Sequence, residues 1–227
     1  PSNGSLGGFD ATDTSTGGAV TPTGLTYTSN ADYNGTDSFT IQISDGTTTD
    51  SIDVTMTIDP TNDAVTFDNG ATAGLTIDED SGAADITSLL TATDIDVGDT
   101  LTWSIVSGPS NGSLGGFDTT DTSTGGAVTP TGLTYTSNAD YNGTDSFTIQ
   151  ISDGTVTDTI DVTMTIDPTN DAVTFDNGAT AGLTINEDSG AADITSLLTA
   201  SDEDIGDTLT WSIVSGPSNG TLGGFDT

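Results

Sequence analysis

The chain has 227 residues, 35 of them acidic and none basic, for a formal charge of −35 at pH 7, and 31% are hydrophobic. Nothing in it can neutralise a phosphate, so nucleic acid and anionic membrane surfaces are excluded as electrostatic partners. Without His, Lys or Cys, the chain has no nucleophilic triad, Schiff-base lysine, thiolate metal site or disulfide framework.

The opening PSNGSLGGFD at Pro1 returns at Pro109, and as PSNGTLGGFD at Pro217, a period of 108 residues. Over the 119 positions that overlay at this offset, eight differ: Ala11/Thr119, Thr48/Val156, Ser51/Thr159, Asp78/Asn186, Thr93/Ser201, Ile95/Glu203, Val97/Ile205 and Ser113/Thr221. A period of this length matches a whole domain and exceeds a solenoid turn. The chain is therefore an array of near-identical domains. The natural cut is DPTNDAV, Asp59 to Val65 and again Asp167 to Val173, where an alternating run ends at a proline. This phasing makes 62–169 a complete repeat, 1–61 the C-terminal part of the one before, and 170–227 the N-terminal part of the next. Both ends fall in the same loop region, as expected of a stretch sampled from a longer array. No signal peptide or membrane-spanning run is visible.

Within the complete repeat, VTF and LTI open with apolar Val65, Phe67, Leu75 and Ile77, and the acidic DED (Asp78, Glu79, Asp80) follows. ADITSLLTATD, around Ile86, Leu89 and Leu90, fits either a helical turn or a bent strand. After Asp94, Asp96 and Asp99 comes LTWSI, with Leu101, Trp103 and Ile105 on one face. GLTYT offers Leu133 and Tyr135, DSFTIQIS offers Phe147, Ile149 and Ile151, and TIDVTMTI offers Ile160, Val162, Met164 and Ile166. Alternation with a period of two marks half-buried strands. Asn111-Gly112, Asn142-Gly143 and Asp153-Gly154 punctuate them as turn dipeptides. High net charge by itself favours disorder, but this periodicity overrules it. About seven short strands in about 100 residues predict an antiparallel β-sandwich.

The acids gather in connections: the DED run, the DIDVGD run, Asp167 with Asn170 and Asp171, and Asp140, Asp145 and Asp153 near Tyr141 and Phe147. A lone Asp reads as solvated surface. Recurrent loop acids with no cationic partner in the chain point instead to a cation from solution. Calcium takes six to eight oxygens from carboxylates and carbonyls, which these clusters supply. No EF-hand is present, because from Asp94 the sixth position is Asp99 and the twelfth is Ile105. The Gly/Asp nonapeptide of calcium-binding β-helices is absent as well. A site has to be assembled from several loops.

Four motifs in order carry a resemblance: TIDEDSG, TATDIDVGDTLTWSIVSG, GLTYTSNADYNGTDSFTIQISDG and IDVTMTIDPTNDA. Together they resemble the cadherin-like tandem repeats of giant bacterial adhesins and biofilm matrix proteins, over the whole repeat. The resemblance implies an all-β array of tandem Greek-key β-sandwich domains, about seven strands each, with calcium (Ca2+) at the junctions. It implies that Glu79, Asp167, Asn170 and Asp171, with Asp202 and Asp204, ligate one junctional calcium site, and that Glu187 repeats the role of Glu79. It implies Asp59, Asn62, Asp63, Asp94 and Asp96 at the preceding junction, with Asp153 below the Asp94–Asp96 pair. The family's mid-repeat acidic motif survives only as ADYNG, so Asp140 matches less well. Asp78 becomes Asn186 in the next copy, so a carbonyl oxygen suffices there or the position is no ligand. Ile95 becomes Glu203, which points that position to solvent.

Catalysis is not expected, since an active site copied nearly verbatim in every repeat would be unusual. The expected role is a calcium-stiffened spacer or matrix element of an extracellular or cell-surface adhesin or fibre. Its partners are then neighbouring repeats of the same chain, and like chains in a fibre. The alternatives are a glycan- or protein-binding module on each repeat and the subunit of a strand-exchanged filament. Near identity of the copies favours the spacer. Trp103, Tyr135 and Phe147 fall on apolar faces and read as core, whereas Tyr141 and Phe117 lie in connections where sugar stacking is conceivable. The N-x-S/T sequons at Asn3, Asn34, Asn111, Asn142 and Asn219 are all Asn-Gly and read first as turns.

Overall fold

The computed structural model describes residues 1–8, 10–116 and 118–224. Four strands precede residue 61: β1 (Gly4–Gly7), β2 (Thr26–Ser29), β3 (Gly35–Ser44) and β4 (Thr49–Ile58). The complete repeat contains β5 (Thr66–Phe67), β6 (Thr72–Asp78), β7 (Ala84–Asp85), β8 (Ala92–Thr93), β9 (Thr100–Ser107) and β10 (Gly112–Gly115). It continues with β11 (Thr120–Thr122), β12 (Ala127–Val128), β13 (Thr134–Ser137), β14 (Gly143–Ser152) and β15 (Thr157–Asp167). Two short strands follow, β16 (Thr174–Phe175) and β17 (Ala200–Ser201). The seven expected strands are thus cut into more and shorter pieces, several of only two residues.

The complete repeat is a β-sandwich. One layer is a five-stranded sheet in the order β11-β9-β14-β15-β6, and the other combines β10-β13-β7 with β12-β8-β5. β14 and β15 form a long hairpin paired from Gly143↔Ile166 to Ser152↔Thr157, closed by the Asp153-Gly154 turn with Gly154 at φ 91°. The alternation of TIDVTMTI puts Ile160, Val162, Met164 and Ile166 inward, all fully buried. Across the core, Tyr135 stacks on Phe147 with ring centroids 6.1 Å apart. Every core hydrophobic side chain among the described residues lies between Val65 and Ile166.

Two features depart from the antiparallel expectation or resolve an ambiguity in it. β15 pairs with β6 in parallel, from Asp161↔Thr72 to Asp167↔Asp78. A parallel neighbour needs a long crossover, and here most of the repeat serves as that crossover. The ADITSLLTATD stretch is both of its readings at once. β7 leads into a 3-10 turn over Thr87–Leu90 and then into β8. The Asp85 carboxylate accepts from Thr87 N and Thr87 Oγ1 at 2.9 and 2.7 Å, which starts the turn, while Ile86 and Leu90 are fully buried beneath it.

Candidate metal centre

The Asp94–Asp99 loop leaves β8 and turns at Gly98, whose φ of 101° favours a residue without Cβ. Asp94 is 1% exposed. One carboxylate oxygen accepts from Asp96 N at 2.9 Å, and the other, Oδ2, is buried with no hydrogen-bond partner. Burial raises the Asp94 carboxyl above its ordinary range, and the charges of Asp99, Asp96 and Asp153 push the same way against the lowering effect of the Asp96 N–H. A buried, unpartnered anion beside three further acids is costly unless a cation reaches it. The donors here are oxygens only, the set that suits a hard divalent cation. The donor chemistry therefore suits calcium, but among the described residues Asp94, Asp96, Asp99 and Asp153 do not bring three carboxylate oxygens within 4.8 Å of one another, as Asp202, Asp204 and Asp207, the later copies of Asp94, Asp96 and Asp99, do.

The linker closes over this loop. Asp63 N donates to Asp96 Oδ2 at 2.6 Å, and Asn62 Nδ2 donates to Asp153 Oδ2 at 3.1 Å. Asp153 also accepts from Thr155 N and Val156 N at 2.7 and 2.6 Å, closing its own turn. Its carboxyl is lowered: burial acts upward, but these donors outweigh it. Asn62, Asp63, Asp94, Asp96 and Asp153 thus gather at one pole, together with Asp99. Asp59 is exposed and lines a cavity of about 290 Å³ that also borders Asp32, Tyr33, Asp63 and Asp96.

At the following junction, carboxylate oxygens of Glu79, Asp171 and Asp204 lie within 4.8 Å of one another. The same holds for Asp80, Asp140 and Asp171, and for Asp202, Asp204 and Asp207. Glu79 is buried and already served, by Thr169 N at 2.6 Å and Asn142 Nδ2 at 3.3 Å. Asp171 is raised by burial and then by Asp140, Asp204, Asp80 and Glu79. Its N–H donates to Asp204 Oδ2 at 2.7 Å, repeating the Asp63–Asp96 bond one period earlier. Asp80 and Asp140 both take left-handed backbone, φ 54° and 55°, a conformation Asp tolerates better than most residues.

The expected ligand set is therefore gathered in part. Asp167 is exposed and engages Glu79 through its backbone, its carbonyl accepting from Glu79 N at 2.9 Å. Asn170 is exposed and spends its amide on Asp171 O at 2.6 Å. Glu187 is exposed and joins no carboxylate group among the described residues. Asp80 and Asp207 were not assigned from the resemblance. Their signal in the sequence is the acidity of the DED run and of the DIDVGD copy.

Two further residues have roles that spacing does not reveal. Asp145, 5% exposed, accepts from Ser110 N, Asn111 N and Ser146 N, each at 2.9 Å, and from Tyr135 Oη at 3.0 Å. Burial would raise its carboxyl, yet these donors hold it below the usual range. Asp145 is a fold lock and leaves no oxygen idle for metal. Tyr141 packs against the core and donates its hydroxyl to Thr144 O at 2.8 Å. Phe117, the other aromatic considered for sugar stacking, lies outside the described residues.

The family model of the bacterial Ig domain matches residues 2–57 and again residues 62–165. The chain belongs to the bacterial Ig domain family. No curated protein matches it. Among solved structures it is similar to the endo-fucoidan hydrolase MfFcnA4 from glycoside hydrolase family 107, at 24% identity over 64% of this chain and 20% of that one, with a TM-score of 0.32. It is also similar to the endo-fucoidan hydrolase MfFcnA9 of the same glycoside hydrolase family, at 18% identity over 70% of this chain and 28% of that one, with a TM-score of 0.24. The chain thus corresponds to between a fifth and just over a quarter of those proteins' lengths. As a bacterial Ig repeat it shares the sandwich described above. No helix among the described residues is long and apolar enough to cross a membrane.

Proposed function

We propose that this chain is a calcium-stiffened structural repeat of an extracellular adhesin or fibre, acting as a spacer or matrix element. The single observation that carries the metal is Asp94, a buried carboxylate with an unpartnered oxygen at the pole where the linker meets the sandwich. Asp94, Asp96, Asp99 and Asp153, with Asn62 and Asp63, would hold the ion at the entry to the complete repeat. Asp171, Asp202, Asp204 and Asp207, with Glu79, are the corresponding set at its exit. At the exit, Glu79 belongs to the complete repeat and Asp171 and Asp204 to the next, so an ion held there would tie two domains into one body, whereas the entry set lies within the complete repeat and would stiffen its own pole. Membership in the bacterial Ig family, in tandem copies, supports a repeat module outside the cell. The near identity of those copies supports a spacer, since recognition surfaces tend to diverge. A glycan platform loses support where Tyr141 is packed inward and its hydroxyl is used internally.

The test is calorimetric titration of the 227-residue chain with calcium chloride, followed by small-angle X-ray scattering in calcium and in chelator. The expected result is saturable binding with a longer, stiffer particle in calcium. Unchanged maximum dimension and no binding heat would overturn the proposal.

A further inference from the structure

Ser123 lies far in sequence from every acid of the Asp94–Asp99 loop, yet it is 1% exposed and fastened to that loop at three points. Its Oγ donates to Asp94 O at 3.0 Å, its N–H donates to Asp99 O at 2.8 Å, and its carbonyl accepts from Gly98 N at 2.9 Å. Gly125 N donates back to Ser123 Oγ at 3.2 Å. Each bond grips the backbone of the loop and leaves the carboxylates free. The Ser–Gly turn itself is local: in the preceding copy Gly17 N donates to Ser15 Oγ at 3.3 Å, although Ser15 is exposed. What is particular to the complete repeat is the docking of this preformed turn onto the acidic loop. Ser123 directly follows β11, the edge strand that pairs with β9 from Thr120↔Thr102 to Thr122↔Thr100.

We infer that Ser123 is a positioning residue for the cation, a clasp that couples closure of the β11 edge to metal affinity at Asp94. This rests on the calcium reading above. Without a cation, the Asp94, Asp96, Asp99 and Asp153 charges repel one another and strain the loop away from the clasp. A bound cation reverses that push, so a loop held by Ser123 is preorganised for the ion. Linkage makes the effect reciprocal: if the closed clasp favours the cation, the cation must favour the closed clasp. Calcium should therefore protect amides that touch no ligand oxygen.

The experiment combines titration of the 227-residue chain with calcium chloride and residue-resolved amide hydrogen exchange in calcium and in chelator. In the wild type, calcium should slow exchange at the Gly98, Ser123 and Gly125 amides. Ser123→Ala keeps the backbone bonds to Gly98 and Asp99 and loses the two at Oγ. It should lower calcium affinity by up to about tenfold, the worth of one net buried hydrogen bond, and should weaken the calcium-dependent protection at Gly98. A merely structural serine would lower stability equally with and without calcium and leave that protection in place. Gly125→Ala is the second variant. Its φ is 81°, and a Cβ there would sit 2.9 Å from Val97 Cγ2 and 3.4 Å from Ile95 O, so it presses on the same loop and should weaken binding about threefold. It decides the matter if Ser123→Ala does not fold. Wild-type binding with both folded variants unchanged overturns the clasp and leaves the calcium reading standing. Absence of binding by the wild type overturns the calcium reading, and the clasp with it.

Discussion

Replacing Asp94 by Asn should change the sign of its effect with calcium. In chelator the native Asp94 carboxylate is buried, lacks a partner for Oδ2 and faces Asp99, Asp96 and Asp153. Its folded pKa is raised above the unfolded value, so the ionised form at neutral pH opposes folding, and the metal-free domain gains stability as pH falls toward the ordinary carboxylate range. Asn keeps the shape, still accepts from Asp96 N, and turns an amide donor toward the surrounding carboxylates. Relief of one unsatisfied buried oxygen is worth about 1–3 kcal/mol, less a few tenths for the weakened bond to Asp96, so the net gain is about 0.5–2.5 kcal/mol. For a domain of this size each kcal/mol raises Tm by about 4–8 °C. At a calcium concentration a hundredfold above Kd, the wild type gains about 2.7 kcal/mol, most of which Asp94→Asn forfeits. Differential scanning calorimetry should then show the variant melting higher than wild type in chelator and lower in calcium. A variant that melts lower in both conditions, with its calcium increment intact, would refute the reasoning, because Asp94 would then be an ordinary structural acid.

Asp145→Asn should destabilise the complete repeat by about 2–4 kcal/mol with or without calcium, because an amide cannot accept from three N–H groups and the Tyr135 hydroxyl at once; urea unfolding checks it. The folded Asp145 pKa is depressed, so its contribution is present above the unfolded value near pH 4 and lost as pH falls through the folded value. Urea midpoints measured between about pH 4 and pH 2 should therefore fall more steeply for wild type than for Asp145→Asn. Trp103→Ala, which empties a site 1% exposed, should cost about 3–5 kcal/mol in chelator and in calcium alike. The excised segment 62–169 should unfold cooperatively as a monomer while 1–61 should not, since the core side chains lie between Val65 and Ile166; dispersed amide spectra from isolated 1–61 would contradict the phasing.

Much of this protein follows from sequence alone. The period of 108 residues, the inward alternation of β14 and β15 and the core placement of Trp103, Tyr135 and Phe147 all come from local pattern. Local pattern is short-ranged, however, and the chain carries its own control. LTWSIV is strand at 101–106 and not at 209–214, and AGLTI is strand at 73–77 and not at 181–185, although the residues are identical. In the complete repeat β9 lies against β14, and β6 lies against β15; alternation marks a strand, but a partner supplies its hydrogen bonds. The acids divide in the same way. Asp94 and Asp145 read alike in sequence as acids near turns. Only tertiary structure brings the Ser110 and Asn111 N–H groups, 35 and 34 positions away in the β9–β10 connection, to Asp145 and leaves Asp94 Oδ2 buried with nothing, because local pattern does not span such separations.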